Sequence, residues 1–108
     1  MRLPYLQNAL VEERKVCDYL LSEERSEGKA AFFVAFGFSL AQWELLRDAL
    51  LSHAASHDVA LREDNPHGTK YIVEGALRTP DGRNPQVRSV WIINSGAVAP
   101  RLVTAYPL

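Results

Sequence analysis

An α+β domain, with three N-terminal helices packed on one face of a four-stranded antiparallel sheet, is the fold this sequence predicts. Two observations carry that expectation. Apolar residues recur at helical spacing up to His57, and beyond it they alternate in short β-rich runs. Only a few turn-forming residues separate those runs, which suits a meander of neighbouring strands.

The first helix is expected over residues 12–22 ("EERKVCDYLLS"), with Val16, Tyr19 and Leu20 on one face. Glu12 and Glu13 fall in its first turn, where the helix dipole favours them. "SEERSEG" (22–28) is a charged, glycine-ended connection. An almost wholly apolar helix follows from Lys29 to Phe36 and stops at Gly37. Ser39 then starts the third helix, and Gln42 three residues on completes a capping-box pattern. Leu40, Trp43, Leu46, Leu50 and Ala54 follow at spacings of three and four, a helix of about four turns.

In the second half, "DVALRE" reads as a short edge strand. "GTKYIVEGALR" places Tyr71, Val73 and Leu77 on one side and Lys70, Ile72, Glu74 and Arg78 on the other. "TPDGR" turns the chain: Pro80 presets the turn angle, Asp81 bonds local backbone and Gly82 accepts positive φ. "QVRSVWIIN" is the most apolar strand and so the expected central one. After "NSGAVAP", the run "RLVTAY" returns as the last strand. Alternation puts Leu102, Thr104 and Tyr106 on one side of it and Arg101, Val103 and Ala105 on the other, with Val103 and Ala105 suited to the helix-covered core. Which neighbours share a face with Thr104 depends on register, and the sequence leaves that open.

With 108 residues, the chain reads as a single domain, and 47% hydrophobic with 23% charged residues suits a packed core rather than disorder. The longest apolar run, Ala30 to Phe38, is interrupted by Gly37 and falls well short of the roughly 20 residues a membrane helix needs. A single cysteine, Cys17, excludes an internal disulfide and suits a reducing cytoplasm; it reads as a small packed side chain. Charge is unevenly spread. Residues 1–64 hold seven Lys/Arg against eleven Asp/Glu, net −4, while residues 65–108 hold five against two, net +3. A basic C-terminal face suits an anion such as RNA or an acidic partner.

Neither a metal motif nor a phosphate-cradling glycine loop is present, and no cofactor is expected. His53 and His57 are four apart but lack the intervening glutamate of a zinc-binding helix, and read as surface histidines. His67 sits in the turn "NPHG". Lys29 stands out, because it opens an apolar helix at the end where the dipole disfavours a cation. Arg88, Arg101, Thr104 and Tyr106 form the remaining constellation. Arginine and lysine hold phosphate and stabilise charge developing on it, tyrosine stacks on a base or transfers a proton, and threonine orients a phosphate oxygen.

The segments "LVEERKVCDYLL" (10–21), "GKAAFF" with "FGF" (28–38), "TPDGR", "VRSVWII" (87–93) and "PRLVTAYPL" (100–108) together resemble a small bacterial family catalogued as a domain of unknown function. Such domains occur in toxin–antitoxin-like gene pairs or at the ends of polymorphic toxins. The helical first half, four-stranded sheet and terminal "TAYP" strand are similar, more distantly, to the barnase–EndoU–colicin–RelE ribonuclease superfamily. That resemblance implies a metal-independent endoribonuclease with general acid–base chemistry on the open sheet face. Thr104 and Tyr106 match its terminal-strand positions, Arg88 a basic residue of the preceding strand and Lys29 the "KA" position. These four are the expected catalytic residues, and Arg101, Tyr71 and Trp91 the expected substrate-binding ones. Family members often carry a histidine shortly before "GKA"; this chain has "SEERSEG" there, so the general base is unassigned. The implied partners are RNA or the ribosome and a small antitoxin or immunity protein, in the cytoplasm and without a membrane. The rival expectation is a non-catalytic interaction module, antitoxin- or immunity-like, that keeps the fold without the chemistry.

Overall fold

Helix formation in the first half follows the apolar spacing, but in shorter pieces than the periodicity suggests. The computed structural model describes residues 1–108. Helix α1 begins as an α-helical turn, Glu13–Lys15, and widens into a π-helical stretch, Val16–Leu20, where the Leu21 N–H reaches the Val16 carbonyl at 2.8 Å. Val16 and Leu20 are fully buried, while Tyr19 is half-buried at the edge of the same face. Helix α2, Lys29–Ala35, buries Ala30 and Phe33 and ends at Gly37, whose φ of 104° suits a residue without a Cβ.

Helix α3, Trp43–Ser56, buries Leu46, Leu50, His53 and Ala54. It starts later than the capping-box pattern suggests. Ser39 Oγ accepts the Gln42 N–H at 3.3 Å, but this closes a turn ahead of the helix, and the Gln42 side chain makes no capping bond. Leu40 accordingly lies outside the helix and is 57% exposed rather than packed.

All four strands are antiparallel neighbours: β1 (Val59–Asn65), β2 (Gly68–Ala76), β3 (Gln86–Asn94) and β4 (Arg101–Pro107), in the spatial order β1-β2-β3-β4. The two most apolar strands are therefore central, and β1 and β4 are the edges. Tyr71, Val73, Val87, Ser89 and Trp91 face the helices, and all but Ser89 belong to one cluster of 17 buried hydrophobic residues that also holds Val16, Leu20, Phe33, Leu46 and Leu50. Glu74, Arg88 and Val90 belong to the opposite face by alternation, with Glu74 directly opposite Arg88. The start of β4 is covered by the segment before α1: the Leu102 N–H bonds to the Leu10 carbonyl and the Leu10 N–H to the Pro100 carbonyl, each at 2.9 Å.

One irregularity decides where the β4 side chains go. Val90 pairs with Thr104 and Trp91 with Leu102, so Val103 is an extra residue between them, a β-bulge. Simple alternation places Leu102 away from the core and Val103 within it. The bulge reverses that: Leu102 and Ala105, three apart, are both buried, and Val103 is half-buried. Past the bulge Tyr106 stands opposite Arg88.

The histidines are corrected as well. His53 is 2% exposed, not a surface residue. Its Nε2 faces the Gly75 and Val87 carbonyl oxygens, each at 3.0 Å. Carbonyls only accept, so Nε2 carries the proton, and Nδ1 accepts from Ser89 Oγ at 2.9 Å. The Trp91 indole N–H donates to the same Ser89 oxygen at 2.9 Å, which completes a closed network between α3, β2 and β3. His57 bonds the Ala76 carbonyl at 2.8 Å and its ring lies against Gly75, where a Cβ would come within 2.5 Å of it.

Candidate functional site

Sequence places Ser26 and Gly28 just ahead of α2, and together they aim Lys29. Ser26 is fully buried, and its Oγ accepts the Ala30 N–H at 2.9 Å, satisfying one of the free donors of the first helical turn. Gly28 takes φ 92°. Lys29 then folds back, its ammonium donating to the Ser26 carbonyl at 3.2 Å and lying 5.4 Å from the centroid of the Tyr19 ring. Lys15, one turn before Tyr19 on α1, lies 5.3 Å from the same centroid.

Tyr19 joins the helices to the sheet edge. Its phenol shares a 3.2 Å hydrogen bond with Thr104 Oγ1, 85 residues away and just past the bulge. The phenol's pKa is lowered from the ordinary tyrosine value. The Thr104 hydrogen bond is the largest cause; burial opposes it, and the nearby Lys29 and Lys15 ammonium groups add to the lowering.

Beside Tyr106 of β4, the guanidinium of Arg88 on β3 bonds Glu74 through Nε at 2.7 Å and reaches Tyr106 Oη at 3.4 Å. Its carbon lies 5.7 Å from the Tyr106 ring centroid. Arg88 is held in its charged form first by Tyr106 and then by Glu74. Tyr106 is also a wall of an open groove, with Lys29, Phe32 and Pro107, that runs between the start of α2 and the end of β4. The order along the edge is thus Arg88, Tyr106, Lys29, Tyr19, Thr104, each touching or sharing a groove with the next.

On the other side of Tyr19 a second cleft opens between α1 and the start of β4. Lys15, Arg25 and Arg101 line it, with Glu12 and Asp18 as partial counter-charge. Arg101 is oriented by Asn94 Oδ1 at 3.2 Å and Glu12 Oε1 at 3.5 Å.

The fold therefore brings Lys29, Arg88, Arg101, Thr104 and Tyr106 together where α1 and α2 meet the β4 side of the sheet. It does not bring Tyr71 and Trp91 there. Tyr71 is 6% exposed and Trp91 fully buried on the helix side, so neither offers a ring for a base to stack on. The residue that composition and spacing did not single out is Tyr19. Its signal was faint: an aromatic on the apolar face with a lysine four residues earlier. Glu74, the partner of Arg88, was likewise read only as an alternating strand residue.

No group of three or more His, Cys, Asp or Glu side chains is placed to hold a metal ion, and no helix is long and apolar enough to cross a membrane. Cys17 is half-buried, and burial followed by the charges of Glu13, Asp18 and Glu44 pushes its thiol pKa up, which disfavours the reactive thiolate.

Comparison with known proteins adds a fold and a family. A chain of a solved contact-dependent growth inhibition toxin–immunity protein complex from Klebsiella pneumoniae 342 superposes with a TM-score of 0.72, covering 94% of this chain and 95% of that one. The two are 16% identical, so the likeness is one of fold. No curated protein matches the chain. A family model described as a domain of unknown function, DUF6883, matches residues 2–108, and the chain belongs to that family.

Proposed function

We propose that this domain is the effector of a toxin–immunity-type pair and that it cleaves RNA without a metal, by general acid–base chemistry at the β4 edge. In this reading Arg88 and Arg101 hold phosphate, Lys29 stabilises charge developing on it, and Thr104 and Tyr106 orient groups or transfer protons. The observation that carries the reading is the convergence of Lys29, Thr104, Tyr106 and Arg88 on one continuous edge, although they come from α2, β3 and β4. The groove at the α2 end measures about 450 Å³, within the range of small-ligand sites. The toxin–immunity complex whose chain shares the fold supports the biological setting. An RNA target places the activity in the cytoplasm, with RNA or the ribosome as substrate and a small immunity protein as the neutralising partner.

The test is inducible expression in bacteria, with total RNA mapped for new 5′ ends. Wild type is expected to arrest growth and cut RNA, and to do so in vitro with EDTA present, while Thr104→Ala and Arg88→Ala lose both effects. If wild type leaves growth and RNA like an empty control, the ribonuclease reading is wrong and the non-catalytic interaction module takes its place.

A further inference from the structure

We propose that Tyr19 is a further catalytic residue of this site, the group that takes the proton from the RNA 2′-hydroxyl; the proposal rests on the ribonuclease reading and supplies the base that reading lacks. Three features of its surroundings support it. Its ring forms part of the wall of the basic cleft lined by Lys15, Arg25 and Arg101, so a phosphodiester held there lies beside it. The phenol oxygen is hydrogen-bonded to Thr104, whose hydroxyl is free to donate once the phenol ionises. Two ammonium groups, Lys15 and Lys29, lie within 5.4 Å of the ring centroid, and neither is engaged in a salt bridge.

Tyr106 differs in that last respect. The single cation at its hydroxyl, Arg88, is neutralised by Glu74. A net positive field favours phenolate over phenol, so the base falls to Tyr19 and the acid to Tyr106. The charged groups around Tyr19 are Glu12 ahead of α1, Arg14, Lys15 and Asp18 on α1, Arg25 in the connection, Lys29 on α2 and Arg101 on β4. The cations outnumber the carboxylates. The lowered pKa of the phenol agrees with this geometry.

The step balances as follows. The Tyr19 phenolate takes the 2′-hydroxyl proton, the 2′-oxygen bonds to phosphorus, and the bond from phosphorus to the 5′-oxygen breaks. The departing 5′-oxygen receives a proton from Tyr106. Products are a 2′,3′-cyclic phosphate and a 5′-hydroxyl, and water restores both tyrosines.

The experiment compares wild type, Tyr19→Phe and Tyr106→Phe on a short RNA and on an analogue whose 5′ leaving group is p-nitrophenolate, which departs without an acid. Thermal melts check that the variants are folded. In parallel, the tyrosines labelled at Cζ with carbon-13 are titrated by NMR. Tyr19→Phe is expected to lower kcat by roughly 10²–10⁴-fold with KM little changed, and to stay slow on the activated analogue. Tyr106→Phe regains most of its rate there. The Tyr19 resonance titrates below the ordinary tyrosine value, and Lys29→Gln moves it back up. If wild type cleaves RNA and folded Tyr19→Phe cleaves equally fast, or recovers on the activated analogue, the Tyr19 assignment is overturned alone. If wild type cleaves no RNA, the ribonuclease reading falls and the catalytic role with it, whatever the NMR titration gives.

Discussion

Two hydrogen bonds from side chain to side chain tie helices to sheet in this protein, and they resemble each other on paper. In one, His53 of α3 bonds Ser89 of β3; in the other, Tyr19 of α1 bonds Thr104 of β4. Each joins a ring bearing a titratable proton to a hydroxyl on a strand. Around His53 every polar atom is used: Nε2 on two carbonyls, Nδ1 on Ser89, and Ser89 on Trp91. Nothing is left for a ligand, and burial holds the imidazole neutral. Around Tyr19 the phenol has one protein partner, a wall on an open cleft and two lysines nearby. A polar group sealed on all sides specifies packing, and a similar group left half-open between cations is available for chemistry.

The comparison breaks most readily at Trp91. Its indole is fully buried and donates to Ser89, so Trp91→Ala removes both packing and one bond of the sealed network. A loss of about 3–5 kcal/mol of unfolding free energy is expected, measured by urea denaturation. A loss below 1 kcal/mol would show that the interior network is not what holds α3 to the sheet.

Acid provides the next, smaller test. Burial is the largest cause of the lowered His53 pKa; the nearby His57 charge lowers it further, while hydrogen bonds to Gly75 and Val87 oppose. The unfolded chain, near the ordinary value of about 6.5, then takes up a proton that the folded protein resists. Stability contributed by neutral His53 is complete above that value and declines as pH falls from there toward the folded pKa. For one proton the slope reaches at most about 1.4 kcal/mol per pH unit. Denaturation midpoints measured from pH 7.5 down to 5 should fall in wild type and fall less in His53→Asn. Equal slopes would assign the acid sensitivity elsewhere.

Much of the fold was legible because periodicity reports which face is buried, and the change of period after His57 marks where helices give way to strands. What escaped depended on contacts distant in sequence. The bulge at Val103 arises from pairing with β3, and no local pattern in "RLVTAYP" announces it. His53 and His57 looked polar and therefore exposed; the carbonyls and the glycine that receive them come from β2 and β3. The candidate site was legible on its strand side, where Arg88, Thr104 and Tyr106 suited the family likeness, and in Lys29, whose position defies the helix dipole. Tyr19 was not legible, because an aromatic at helical spacing reads as core until the partner strand places a hydroxyl and a second helix places a lysine beside it.

Thr104→Val sharpens the contrast with the smallest stability change. Valine keeps the shape of threonine and removes only the hydroxyl, and Tyr19, half-buried beside an open cleft, can bond water in its place. The expected destabilisation is about 0.5–1 kcal/mol, the low end for a lost hydrogen bond. The titration of Tyr19 should nevertheless rise appreciably, because Thr104 is the largest cause of its lowering. A Ser89→Ala variant gives the matched control, since its loss leaves the Trp91 donor and the His53 acceptor buried without a partner and should exceed that of Thr104→Val. If the two variants lose the same stability and Tyr19 titrates as before, the β4 contact is structural like its interior counterpart, and the open edge is no site.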